Sequence, residues 1–317
     1  MTFSTSEKLF PLETTDIIID LSSLSLLAVS GEGAKKLLQG QLTCQMEDIS
    51  ANQSGLGAYC NPQGRILSLF QIFFFNETYY LQMPAEILAE TLKTLQKYAV
   101  FFKVKLEDAS SSLQRISFCG PQAETKLKNI FAELPREISE TLLLDNLLCI
   151  KLPSANAHYE FVGLPDDIKN LWRKISAHAE TAKINAWKYA NISAGIPSIY
   201  TQTFAKLLPH EINLPQIKGV SFTKGCYTGQ EIIARMEYRG QLKKHMYRAR
   251  VKADAIPEAG QPIFHEKICG TIVDSCEEAP TVYQILFIAD QTDIETRQLF
   301  LDSANIHLLE LLPLPTR

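Results

Sequence analysis

The change of texture at Gly240 constrains this chain more than any other feature: upstream, β-prone and helical runs alternate, and downstream only short β-prone runs remain. Upstream, IIIDLSSLSLLAVSG (17–31) reads as β structure, and Ser30 is placed to cap a short helix through GEGAKKLLQGQ. Residues 55–84 read as a meander that turns at Asn61-Pro62-Gln63-Gly64 and at Asn76-Glu77-Thr78. A helix over 84–99 places Ile87, Leu88, Leu92, Leu95 and Tyr98 at helical spacing with Pro84 in its first turn, and a strand FFKVKLED follows. A second set runs from 113 to about 193: strand LQRISF, helix PQAETKLKNIFAEL, strands LLLDNLLCIKL and YEFVGL, then helix PDDIKNLWRKISAHAET. After Gly240, HMYRARVK, QPIFHE, KICGTIVDSC, TVYQILFIAD and NIHLLELLP suggest a small β-barrel. The expected class is α+β, divided into 1–240 (two α/β lobes, approximately 1–110 and 111–240) and a C-terminal β-barrel over 241–317.

With 317 residues, 46% apolar and 21% charged, the chain can bury a full core without disulfides. Seven cysteines, an odd number with no C-x-x-C pair, fit a reducing compartment and spell neither a zinc nor an iron-sulfur site. The first residues, MTFSTSEKLFPLETTDIIIDLSS, are too acidic for a secretory signal or a basic presequence, and no apolar run reaches membrane-spanning length. The cytoplasm is the expected location. The net charge of −4 is uneven, because 218–252 holds nine Lys and Arg against Glu231 and Glu237. That segment favours an anion, although a solvated basic face accounts for it equally well.

The densest constellation is KGVSFTKGCYTGQEIIAR (218–235), where Gly219, Gly225 and Gly229 surround Cys226 and Tyr227. Closely spaced glycines mark backbone that must approach something. A helix beginning near Thr228 or Gly229 turns Ile232, Ile233 and Met236 to a core and leaves Cys226 at or before its N-terminus, where unpaired N–H groups favour an anion or a thiolate and Lys224 reinforces the effect. Taken singly, each feature has a plainer account: turn glycines, a packed thiol, Glu231 complementing the dipole, and Arg235 pairing with Glu231. The second unusual stretch, INAWKYANISAGIPSI (184–199), carries Trp187, which on its own reads as a core residue. Asn61 to Arg65 is a tight turn with one charge, and Gln39 to Thr43 needs only a helix end to explain its glycine. Phosphate-loop, dinucleotide, serine-hydrolase and zinc-protease motifs do not occur.

Taken together, LAVSGEGAKKLLQGQLT, YCNPQGRILSLFQIF, LQKYAVFFKVKL, NISAGIP and KGCYTGQE resemble the YgfZ family of folate-binding proteins, related to the aminomethyltransferase T-protein of glycine cleavage. The resemblance covers residues 20 to about 250 in order. It implies a three-lobed ring of two ferredoxin-like α/β lobes plus a C-terminal β-barrel, binding tetrahydrofolate or a derivative. It also implies an accessory role in assembling or repairing iron-sulfur clusters in target enzymes, which affects tRNA modification indirectly. The implied partners are folate and iron-sulfur enzymes or assembly proteins; direct nucleic-acid binding is not expected, because the rest of the chain is acidic and no aromatic-basic platform occurs, and no membrane is expected. Cys226 matches the family's functional cysteine and Trp187 a tryptophan implicated in folate binding; the second family tryptophan is replaced by Leu24. Tyr227, Gln230 and Glu231 are candidates for the pterin, while Arg235 and Arg239, with Lys243 and Lys244, suit its anionic glutamate tail. Where T-proteins carry acidic residues after the G-R-I-L turn this chain has Ser68 and Leu69, and where relatives carry a glutamate in N-I-E-A-G it has Ser193. The resemblance therefore leaves turnover open, with a tetrahydrofolate-dependent one-carbon transferase as the alternative.

Overall fold

The computed structural model describes residues 14–240, 242–296 and 298–315. The reading of the first residues as neither signal nor presequence falls mostly on 1–13, outside the described residues. The chain packs as two compact units, each discontinuous in sequence: Met1–Lys35, Met46–Gly55 and Gln71–Ala190 form the first, and Lys36–Gln45, Leu56–Phe70 and Asn191–Arg317 the second.

In the first unit the 17–31 stretch is two strands, β1 (Ile17–Asp20) and β2 (Leu24–Ser30), followed by α1 (Ala34–Gln41), which crosses into the second unit. The meander is present as β3 (Gly55–Cys60), β4 (Ile66–Phe75) and β5 (Thr78–Pro84). Its second turn places Asn76 and Glu77 at φ 46° and 57°, the left-handed geometry that matches the twist of a tight hairpin. Helix α2 (Ala85–Ala99) follows Pro84 and buries Ile87, Leu88, Thr91 and Leu95. The strand expected over FFKVKLED shortens to β6 (Lys105–Asp108), and Phe101 is left 81% exposed.

The second set supplies β7 (Gln114–Gly120), α3 (Ala123–Lys128), β8 (Thr141–Leu144), β9 (Leu147–Lys151), β10 (Ala157–Gly163) and α4 (Pro165–Ser176). The helix expected across PQAETKLKNIFAEL stops at Lys128, as its chain turns after Leu127 to bring Phe131 and Leu134 into the core under α4. LLLDNLLCIKL is a hairpin rather than one strand, with Asp145 at φ 55° in its turn. A short β11 (Glu180–Ala182), without a β-prone signal, pairs in parallel with β1, and α5 (Ile184–Ser193) follows. The six-stranded sheet has the order β11-β1-β7-β10-β9-β8. One face packs Trp172, Ile168 and Leu171 of α4 on Phe118, Tyr159 and Phe161. The other meets Leu26, Phe73 and Phe75 through Leu148, Ile150 and Val162.

In the second unit α6 (Gln230–Arg239) begins where the sequence places it, with Gly229 as N-cap. Only Ile233 of its three expected core residues is fully buried. The C-terminal part comprises β12 (Lys244–Lys252), β13 (Pro262–Phe264), β14 (Ile268–Ala279), β15 (Val282–Asp290), α7 (Gln291–Thr296) and β16 (Glu310–Leu312). It is a five-stranded sheet, β13-β14-β15-β12-β16, rather than the closed barrel expected. Beyond β15 the chain enters α7, and among the described residues the single bridges Phe264↔Phe300 and Phe300↔Leu308 link the β13 edge to the segment leading into β16. The α+β class holds.

The face of β7 and β10 turned toward Gln82 is polar in an otherwise apolar core. Arg115 and Glu160 are 1% and 0% exposed, and His158 Nε2 lies 2.7 Å from Ser117 Oγ. Burial pushes the Glu160 carboxyl up to about 7 against the attraction of Arg115, and pushes His158 down to about 4. The stability that Glu160 contributes is complete below its ordinary 4.5 and is lost as pH rises through 7; that of His158 is complete above 6.5 and is lost as pH falls through 4. The two slopes oppose one another between these limits. Glu160→Gln removes the first alone, so its urea midpoint should rise relative to the parent between pH 4.5 and 7 and run parallel above that range. A constant offset throughout would show that Glu160 does not titrate there.

Candidate functional site

Residues 219–228 have no regular secondary structure, and their course is set by the loop that follows α1. Thr43 Oγ1 donates to Gly219 O at 2.6 Å and accepts the Ala58 N–H at 2.9 Å, while Ser221 N–H donates to Thr43 O at 2.9 Å. Lys224 Nζ donates to the carbonyls of Leu42 (2.7 Å) and Cys44 (2.6 Å). Thr228 completes the seam, its N–H reaching Gly40 O at 3.3 Å and its hydroxyl reaching Gln41 Oε1 at 3.1 Å. Gln39 to Thr43 is therefore more than a helix end. The Gly-Gln-Leu-Thr string carried no chemical signal of its own, because much of its role lies in carbonyl oxygens that every residue has, with the Gln41 and Thr43 side chains alongside them.

The expectation that Lys224 assists the neighbouring thiol is corrected. Its ammonium is buried on those two carbonyls and lies 5.0 Å from the centre of the Tyr227 ring. Burial pushes this lysine down to about 8 and raises the Tyr227 phenol. The Tyr227 hydroxyl is buried with no hydrogen-bond partner among the described residues. Cys226, between these two inward side chains, is exposed, and the other six cysteines are buried.

The glycines separate into two kinds. Gly229 has φ +83°, and a Cβ there would lie 2.6 Å from Asn61 O and 3.1 Å from Gly64 Cα. Gly64 has φ +74° and sits 3.2 Å from Ile232 by the same construction. The Asn61–Gly64 turn is thus the seat on which α6 starts, and the two glycines let backbone meet backbone. Arg65 ties the turn down through Lys206 O at 2.7 Å and Glu211 at 3.4 Å. Around Gly225 an added Cβ would meet nothing within 4 Å.

Helix α6 projects Glu231, Arg235 and Arg239 to solvent and leaves Gln230 half-buried. Glu231 and Arg235 form no ion pair among the described residues, so the plainer account of their spacing falls away. Cys226, Tyr227, Gln230, Glu231, Arg235 and Arg239 are brought together on this segment of the second unit, whereas Trp187 belongs to the first. There its indole, partly buried, packs on the cluster of Ile17, Ile19, Leu21, Leu24, Cys119, Ala182 and Ala186. Ser193 accepts a hydrogen bond from Arg248 Nη2 at 3.1 Å, and Ser68 and Leu69 are buried. Among the described residues, no three His, Cys, Asp or Glu side chains converge as a metal site, and no helix is long and apolar enough to cross a membrane.

The profile of the GCVT N-terminal domain matches residues 12–141. The tRNA-modifying protein YgfZ of Hamiltonella defensa subsp. Acyrthosiphon pisum (strain 5AT) is 34% identical over 247 residues, 78% of this chain and 73% of that protein. The chain belongs to the YgfZ family. A YgfZ of Yersinia pestis (strain Pestoides F) is likewise 34% identical over 248 residues, 78% of this chain and 74% of its own length. The glycine cleavage system aminomethyltransferase T from Bartonella henselae superposes with a TM-score of 0.74 over 96% of this chain and 87% of that one, at 14% identity. That likeness establishes the fold.

The seam and the glycine seat predict opposite outcomes for two neighbouring substitutions. Gly229→Ala forces a side chain into backbone at a left-handed φ and should cost roughly 1–3 kcal/mol in denaturant unfolding. Gly225→Ala meets no atoms and should stay within about 0.5 kcal/mol of the parent. Similar losses for both would show that the α6 seat is not what requires glycine.

Proposed function

We propose that this YgfZ-family protein is a folate-binding accessory factor that supports iron-sulfur cluster assembly or repair in target enzymes, and through them tRNA modification, with Cys226 as its functional thiol. The observation that carries the reading is Cys226 itself: it is the exposed cysteine of the chain, in a segment pinned on both flanks, within the K-G-C-Y-T-G-Q-E stretch on which the resemblance to the family rests. The related proteins named tRNA-modifying protein supply the link to tRNA modification.

Taken one by one, the candidate residues carry the chemistry that a reduced folate calls for. A pterin is flat and apolar on its faces, with donors and acceptors around its edge. Trp187, partly buried on an apolar cluster, offers an indole for stacking. Gln230 and Glu231 offer an amide and a carboxylate for the edge, and Tyr227 offers a second ring. The exposed guanidinium groups of Arg235 and Arg239 suit the anionic glutamate tail. When bound, folate supplies a one-carbon carrier. The role of this chain is to hold it and to present a thiol toward a partner or a transferred group. Its expected setting is the cytoplasm, without direct nucleic-acid or membrane binding.

The second reading, a tetrahydrofolate-dependent aminomethyl or methyl transferase, is favoured by the fold shared with aminomethyltransferase T. It needs a carboxylate recruited from elsewhere in the chain, since positions 68, 69 and 193 hold Ser68, Leu69 and Ser193.

Two measurements separate these readings. In a Trp172→Phe background, tetrahydrofolate should quench Trp187 emission, and Trp187→Ala should weaken folate binding read by calorimetry by up to about tenfold, the loss of one aromatic stacking contact. Cys226→Ser should keep folate affinity while lowering iron-sulfur enzyme activity in cells. Equal loss of folate by Cys226→Ser would reduce the cysteine to a binding residue. Turnover of an aminomethylated or methylated acceptor with tetrahydrofolate would instead support the transferase.

A further inference from the structure

Arg115 of β7 grips the turn between β1 and β2 from both ends. Its carbonyl accepts the Leu21 N–H at 3.1 Å, its Nη2 donates to Leu24 O at 2.7 Å, and its Nη1 reaches Ser25 O at 3.4 Å. Leu21 and Leu24 both belong to the cluster on which Trp187 packs. On its other side, Arg115 Nη1 donates to Gln82 Oε1 at 3.1 Å, and Gln82 Nε2 donates to Glu160 Oε2 at 3.1 Å. One unbroken chain of hydrogen bonds therefore runs from a buried carboxyl to the main chain beside the tryptophan. Arg115 Nε and Glu160 Oε1 are buried without hydrogen-bond partners among the described residues. The cation and its counter-ion thus each keep a group able to pair in a second arrangement. Packing alone does not account for these residues, since an apolar set of the same volume would serve stability as well or better.

We infer that Glu160, Gln82 and Arg115 form a relay that positions the Leu24 side of the Trp187 cluster, and that ionisation of Glu160 loosens it and so couples ligand binding at Trp187 to pH. The inference rests on the reading that Trp187 meets folate. With Glu160 in its acid form, the guanidinium is answered by the Leu24 and Ser25 carbonyls and by Gln82, the arrangement found. Ionised, the carboxylate attracts the guanidinium through a low-dielectric interior and competes with those carbonyls. The charged group facing Glu160 from β7 is Arg115; on its own strand His158 is held to Ser117; β9 opposes it with Ile150, and β5 with Gln82. Asp20 and Asp108, at the ends of β1 and β6, act on Arg115. The transition falls near neutrality because burial raises the Glu160 carboxyl to about 7.

The test uses the full chain carrying Trp172→Phe, so that Trp187 alone emits, titrated without ligand across roughly pH 6 to 8. A single shift in Trp187 emission near neutral pH is expected, and Glu160→Gln, an isosteric change, should abolish it. Gln82→Leu, which cuts the bridge at an uncharged residue, should do the same and serves if Glu160→Gln does not fold. Absence of the transition in the parent, or its persistence in these variants, overturns the relay. Tetrahydrofolate affinity read by quenching should be about fivefold weaker at the upper pH in the parent and equal at both in Glu160→Gln. Equal parent affinities at both ends, with the emission shift intact, overturn the coupling. No quenching at either pH, with the shift intact, refutes the folate reading and leaves the relay standing.

Discussion

The ammonium of Lys224 lies buried against two main-chain carbonyls, of Leu42 and Cys44, and the face of Tyr227. Each charge-assisted hydrogen bond contributes on the order of 1.5–3 kcal/mol. The desolvation of a buried ion, which here shows as a lysine lowered to about 8, costs several kcal/mol. Desolvation thus offsets part of what those contacts supply. What the ion fixes is direction: with 224 and 227 turned inward, residue 226 between them is left outside. The Thr43 hydroxyl works alongside it, accepting from Ala58 and donating to Gly219, so that β3 and the start of the 219–228 segment share one anchor. An irregular segment held this way keeps its course without burying its own side chains, and it can therefore display a thiol.

The sequence made legible whatever depends on local chemistry. Both meander turns, helix α2 after Pro84, and the start of α6 at Gly229 follow from turn residues, proline geometry and apolar spacing, which act within a few positions. What it concealed depends on distant partners. Strand β11 exists because β1 offers it a parallel edge, and α3 ends early because the core under α4 takes Phe131 and Leu134. The terminal barrel was overread because β-propensity reports that a run suits a sheet and not whether two edges meet in a continuous ladder. At the site, the motif pointed to the segment carrying Cys226, but its seat in residues 40–44 combines main-chain carbonyls with the Gln41 and Thr43 side chains, two common polar residues whose distant partners spacing does not reveal. The same limit misplaced Lys224, whose charge looked available to the thiol from spacing alone.

Two polar devices in this chain use buried charge differently. Lys224 is matched to carbonyl dipoles that cannot titrate, and the neutral amine formed above its lowered value of about 8 can still donate to them. Arg115 is matched to carbonyls on one side and, through an amide, to a titratable carboxyl on the other. In the first, the low dielectric makes the geometry rigid; in the second it makes the geometry depend on one proton.

The comparison with aminomethyltransferase T separates scaffold from chemistry. The fold persists at 14% identity, so the layers that set strand and helix positions tolerate nearly complete replacement of side chains. General acid-base work does not survive such replacement, because it needs a titratable group at a particular place. At 193 this chain places a hydroxyl, bonded to an Arg248 that also donates to Gln284 Oε1 at 2.9 and 2.7 Å. A serine beside a guanidinium can accept a hydrogen bond but takes up no proton near neutrality, and buried Ser68 and Leu69 do no better. A fold that retains its frame while lacking carboxylates at those positions can hold a ligand without moving its protons there. Under the proposed function, the exposed thiol at 226 is the group left to react.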